Sequence, residues 1–168
     1  MQLAQSLTSP APRSSNSAKS KCLRTVILGI GNELNGDDAA GIEVIRRLRM
    51  ILNKTPDLLL LEGGVAPENV TAPIRRYAPE MVLLVDCAAM ESKPGSIAWL
   101  NMADIDGLSA STHTLPLSVL ARFLQAELGC KIGLIGIQPE SLEFGKPLSA
   151  QVDRAVAEIV TEILSLYE

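Results

Sequence analysis

The chain has 168 residues, 47% of them hydrophobic, 20% charged and only 3% aromatic, with a formal net charge of −4 at pH 7. That is enough chain for one domain with an aliphatic core; the acidic balance and scarce aromatics argue against a nucleic-acid partner, since no basic stripe or stacking platform is present. Cys22, Cys87 and Cys130 are odd in number and form no CxxC pair, and no apolar run reaches the ~18 residues of a membrane span, so disulfide frameworks, zinc ribbons and membrane helices are set aside and a reducing cytoplasm is expected.

Residues 1–22 hold six serines, two prolines, three basic residues and no acid. They are expected to form a disordered tail ahead of one folded domain over 23–168. Thr25-Val26-Ile27-Leu28 reads as a buried strand running into a glycine-rich turn. Residues 38–52 read as a helix, with Ala40, Ile42, Val44, Ile45, Leu48 and Ile51 at helical spacing and Asp37 or Asp38 able to cap it. A second strand runs from Asp57 to Leu61 and stops at Glu62-Gly63-Gly64. A short helix follows over 69–78, with Pro73 near its first turn.

Residues 81–86 form a third strand, ending in Asp86. After the turn Lys93-Pro94-Gly95, Ser96 to Leu100 forms a fourth, too close behind the third for a helical crossover and therefore antiparallel. Residues 115–128 read as a helix capped by Thr114 with Pro116 in its first turn. Lys131 to Ile137 is a fifth strand, and 149–166 a closing amphipathic helix. The alternation predicts a three-layer α/β/α sandwich; its sheet is expected to be five-stranded and mixed, with strand order 2-1-3-5-4 and strand 4 antiparallel.

Three residues carry the chemistry of this layout: Asp38, Asp86 and His113, the single histidine. Ligands of open α/β sheets bind outside the carboxyl ends of the strands, where strand order reverses. If the first strand lies between the second and third, Asp38 and Asp86 flank that crevice. The chain over 101–114 must climb back to the same edge before the last helix, and at ~3.3 Å per residue it has ample length to do so. His113 then arrives at a helix N-terminus, which disfavours imidazolium and leaves the neutral ring that binds metals.

Two carboxylates and an imidazole can ligate a transition metal or transfer protons. Taken singly, each has an ordinary structural role: a helix cap for Asp37 or Asp38, a strand-end turn for Asp86, a packing or surface role for His113. Other motifs fail. Gly29-Ile30-Gly31-Asn32-Glu33-Leu34 lacks the third glycine of the dinucleotide fingerprint, no Walker lysine follows, and no HExxH helix or Ser–His–Asp pattern is present. Cys87 reads as a buried strand-end thiol, and Gln138 and Glu143 as structural residues near the same edge.

The segment from Val26 to Gly41, with Gly31-Asn32-Glu33-Leu34-Asn35-Gly36-Asp37-Asp38, resembles the opening signature of the hydrogenase maturation endopeptidases. Leu61-Glu62-Gly63-Gly64-Val65-Ala66-Pro67-Glu68-Asn69 is similar to a turn of the members serving the formate-hydrogenlyase hydrogenase. Leu84-Val85-Asp86, Thr112-His113 before Leu115-Pro116-Leu117, and Gly136-Ile137-Gln138-Pro139 complete the resemblance, in the family's order from about residue 24 onward. Ala39 stands where the family usually has glycine; were that backbone to need a positive φ, Ala39 would strain the Asp38 loop.

The resemblance implies a five-stranded mixed sheet between helices. It also implies an endopeptidase that trims the C-terminal extension of a nickel–iron hydrogenase large-subunit precursor. The nickel would come with that substrate, with no resident organic cofactor, and Asp38, Asp86 and His113 would serve as both catalytic residues and metal ligands. Hydrolysis could run through nickel-polarised carbonyl or water, or through an aspartate as general base. No nucleic-acid or membrane partner is expected, and a monomer is. The alternatives are a non-proteolytic nickel sensor or precursor-binding factor, and a small-molecule or nucleotide-binding α/β domain.

Overall fold

Alternation of large aliphatic residues along the central strands builds the two sides of the core. In the computed structural model, which describes residues 23–52, 55–100 and 116–167, the first strand, β1 (Thr25–Ile30), is buried throughout. Val26, Leu28 and Ile30 face one layer and Ile27 the other, as the two-residue period of a strand requires. The remaining strands are β2 (Leu58–Gly64), β3 (Met81–Cys87), β4 (Ile97–Leu100) and β5 (Lys131–Ile137), and the sheet order is β2-β1-β3-β5-β4. β1, β2, β3 and β5 run parallel and β4 pairs antiparallel with β5, the topology expected from the sequence.

Helix α1 (Ala40–Ile51) and helix α4 (Ala150–Leu164) cover one face, where Val44, Ile45 and Leu48 meet Val152, Val156, Ile159 and Ile163 over Ile27, Leu83, Val85 and Ile135. Helix α2 (Thr71–Tyr77) and helix α3 (Leu117–Leu128) cover the other, with Ile74, Leu117, Leu120 and Leu124 over Val26, Leu28, Val82 and Leu134. Among the described residues no helix is long and apolar enough to cross a membrane. The tail expected over 1–22 lies outside the described residues.

Several expected boundaries shift, each for a local reason. β1 runs two residues further than Leu28, since Gly29 and Ile30 still pair with β2 and Gly29 with β3. Glu62-Gly63-Gly64 belongs to β2 rather than stopping it, and the strand ends only where Gly64 turns to φ +59°. A short 3-10 turn, Pro67–Val70, precedes α2 and takes up the start of the expected helix. α3 begins at Leu117 rather than 115: Pro116 stays extended at ψ 135° and offers its carbonyl to the N–H groups of Val119 and Leu120. The closing helix starts at Ala150, capped by Ser149, whose hydroxyl accepts from the Val152 N–H at 3.4 Å.

Candidate active site

The route of the chain out of β1 decides where Asp38 goes. Gly31 adopts φ +137°, and a Cβ there would stand 1.7 Å from the Asp38 carbonyl oxygen. Only glycine lets the loop fold back so closely. The Asn32 N–H then donates to Asp38 Oδ2 at 3.1 Å, while Asn32 Oδ1 accepts from the Leu34 N–H at 3.0 Å, a local turn that sets the loop's width. Gly36–Ala39 closes it as a 3-10 turn, leaving Asp38 only 2% exposed.

Neither Asp37 nor Asp38 caps α1, contrary to the sequence expectation, because no side-chain bond closes either helix start. The Asp38 carboxylate is turned back to Asn32, and Asp37 reaches across to the segment after β5. The strain anticipated at Ala39 is absent too: its φ of −74° and ψ of −9° are ordinary right-handed values.

Asp86 lies within β3, one residue before its end, in register with Gly136 of β5 and 1% exposed. Two contacts tie the chain around it to the turn that carries Asp37 and Asp38. Gly41, in the first turn of α1, packs so tightly that a Cβ would stand 2.2 Å from the Val85 carbonyl oxygen and 2.4 Å from that of Ile30. The helix start is thereby wedged against the ends of β1 and β3. Next to Asp86, the Cys87 thiol donates to the Asp37 carbonyl oxygen at 2.7 Å.

Burial raises the Cys87 pKa, and the charges of Asp86, Asp38 and Asp37 raise it further, so all three carboxylates act on one sulfur atom. The sign follows directly: a raised thiol pKa means less thiolate at any given pH. Cys87 in the native protein is expected to resist alkylation through pH 9, where an ordinary free thiol reacts readily. Peptide mapping after iodoacetamide treatment checks this, and rapid native labelling of Cys87 would contradict the burial and charge described.

α3 spans 12 residues and leads directly into β5. At 1.5 Å per residue it is about as long as the sheet is deep, so its start lies at the carboxyl edge of the sheet. His113 and Thr114, the expected ligand and cap just upstream, lie outside the described residues. Among the described residues no group of three His, Cys, Asp or Glu is arranged to hold a metal ion.

Beside the Asp38 loop opens a cleft of about 340 Å³, lined by Asn32, Glu33, Leu34, Ile42, Arg46 and the Glu62–Val65 strand end. Arg46 crosses it, pairing with Glu33 at 2.6 Å and Glu62 at 3.3 Å, and these partners raise its pKa against the cost of burial. Both pairs are substantially exposed, so they order the cleft wall more than they stabilise the fold. Sequence reasoning did not find this cleft or the role of Asp37. Nothing in the sequence marks Arg46, and the Asp37-Asp38 doublet gives no sign that Asp37 reaches the segment after β5.

Known proteins share this fold and part of this sequence. A model of the hydrogenase maturation protease family matches residues 42–166. The hydrogenase 3 maturation protease of Escherichia coli is 32% identical over 132 residues, 78% of this chain and 83% of that protein. The crystal structure of a NiFe hydrogenase maturation protease from Thermococcus kodakarensis superposes with a TM-score of 0.79 at 33% identity, covering 86% of this chain and 92% of that one. The solution structure of an endopeptidase from Escherichia coli superposes at 0.75 with 30% identity, covering 84% and 89%.

Proposed function

This chain belongs to the hydrogenase maturation protease family, and from that premise we propose how its carboxyl edge works. It is an endopeptidase of hydrogenase large-subunit processing. Its substrate is the large-subunit precursor, from which it removes the C-terminal extension once nickel has been inserted. The nickel belongs to that substrate. Asp38, Asp86 and His113 complete its coordination, so cleavage is licensed by the loaded metal.

The observation that carries this reading is the placement of two buried carboxylates at one edge of the sheet, Asp38 in the turn after β1 and Asp86 near the end of β3. Asp38 and Asp86 are each at most 2% exposed and held by backbone wedged at Gly31 and Gly41. Two anions in a low-dielectric wall attract a divalent cation strongly, and hard oxygens with one imidazole suit the open positions of a thiolate-held nickel. Hydrolysis then follows one of two courses: the metal polarises the scissile carbonyl or activates water, or one aspartate takes a proton from the attacking water. The protein works in the cytoplasm, a reading that rests on its three scattered cysteines with no CxxC pair, and as a monomer, a reading that rests on its few aromatic residues.

Intact-mass spectrometry of the precursor, with and without inserted nickel, tests the proposal. Loss of a C-terminal peptide from the loaded form alone is the expected result. Tight binding without mass loss would make the protein a precursor-binding sensor, and equal cleavage of the empty precursor would remove the metal checkpoint. His113→Ala is expected to lose at least ~10-fold in discrimination between loaded and empty precursor, the scale of deleting one metal contact. Unchanged discrimination would take His113 out of nickel recognition.

A further inference from the structure

We infer that Asp37, whose carboxylate is occupied by hydrogen bonds within the chain, is a positioning residue for the reaction; this rests on the function proposed above. Asp37 is fully buried. Its Oδ2 accepts from the Glu140 N–H at 2.8 Å, the Ser141 N–H at 3.0 Å and the Ser149 hydroxyl at 3.0 Å, and its Oδ1 accepts from the Ser149 N–H at 2.6 Å. Its own N–H donates to the Ser141 carbonyl at 3.0 Å. A carboxylate is the side chain that meets four donors without offering one in return.

These bonds bind the 3-10 turn that carries Asp38 to the segment between β5 and α4. The same segment holds the far side of the site. Gln138 Oε1 accepts from the Met90 N–H at 2.7 Å, and the Gln138 backbone exchanges bonds with Gly95 at 2.8 Å and Ser96 at 2.9 Å, so the loop that follows Asp86 is fastened to it as well. The Cys87 thiol, bonded to the Asp37 carbonyl, closes the circuit beside Asp86. Asp37 thus fixes the backbone on which Asp38 is carried, relative to the strand on which Asp86 is carried. A displacement of about 1 Å at a reacting group can cost on the order of 100-fold in rate.

In Asp37→Asn one oxygen becomes an NH2 facing an N–H donor, and the turn must shift. With nickel-loaded precursor, kcat is expected to fall about 30- to 100-fold while KM stays within about twofold, since no substrate contact is removed. Ser149→Ala, which loses one of the four bonds, is expected to lower kcat about threefold or more, and Ser149→Thr, which keeps the hydroxyl, to restore it. This second pair carries the test if Asp37→Asn does not fold.

The Asn32 amide, bonded to Asp38, reports the carboxylate's position in the substrate-free protein. Its NMR signal should move in Asp37→Asn and in Ser149→Ala and return in Ser149→Thr. A folded Asp37→Asn protein with wild-type kcat would overturn the inference. So would Asn32 signals unmoved by the variants, or a Ser149→Ala protein that loses melting temperature but no kcat. If the unaltered protein cleaves no precursor, the proposed function fails, and the Asn32 signals still decide whether Asp37 positions Asp38.

Discussion

Asp38→Asn is expected to abolish precursor processing while leaving the protein folded. The substitution is nearly isosteric, and the new amide oxygen can still accept the Asn32 N–H that Asp38 Oδ2 accepts at 3.1 Å. It removes a negative charge from a site only 2% exposed, and burying a neutral amide costs less than burying an ion, provided its hydrogen bonds are made. Stability should therefore change by no more than about 1 kcal/mol. What is lost is the anion, whether it ligates nickel or takes a proton. A group that transfers a proton in the transition state contributes roughly 10²- to 10⁴-fold, and a lost metal ligand adds loss of recognition. Circular-dichroism melting together with a mass-spectrometric time course measures both quantities. A folded Asp38→Asn protein cleaving at near the normal rate would remove Asp38 from the mechanism.

The second large effect is structural and lies three residues further on. Gly41→Ala is expected to destabilise the protein by about 3 kcal/mol or more, the upper end of overpacking costs. The added Cβ would stand 2.2 Å from the Val85 carbonyl oxygen and 2.4 Å from the Ile30 carbonyl oxygen. Both are backbone atoms of paired central strands, so no flexible side chain can yield. α1 must instead lift from the sheet, opening its contacts with Val85 and with α4 on the same face. In a helix Ala is otherwise favoured over Gly by up to about 1 kcal/mol, so the packing clash outweighs the propensity gain. Urea unfolding reads the difference directly. A stability equal to the native protein's would mean the helix is not wedged between β1 and β3, and the juxtaposition of Asp38 with Asp86 would lose its physical basis.

Much of the architecture is legible in local pattern. Val26, Leu28 and Ile30 alternate with Ile27, and Met81 to Val85 form an unbroken apolar run, because a central parallel strand is covered on both faces. The eight to ten residues between the third and fourth strands are too few for a parallel crossover, and β4 is antiparallel to β5. The carboxyl-edge rule then puts Asp38 and Asp86 together, since chain order and strand direction determine which end of each strand they follow.

The errors fall where distant segments settle a local choice. Asp37 and Asp38 both look like helix caps from their position, yet the donors that claim Asp37 come from residues 140, 141 and 149, over a hundred positions away. Ala39 suggested strain, and the 3-10 turn keeps its φ negative. Leu61 seemed to end a strand, but pairing with β1 carries β2 on to Gly64.

By itself, then, the sequence determined the class of fold and, once the first strand is set between the second and third, the edge on which the chemistry sits, because these depend on hydrophobic period, connection length and chain direction. Only the tertiary structure decided which of the two adjacent aspartates meets the Asn32 N–H and which is consumed in bracing the loops. That choice is set by hydrogen-bond donors and backbone contacts that become neighbours only after the sheet has assembled.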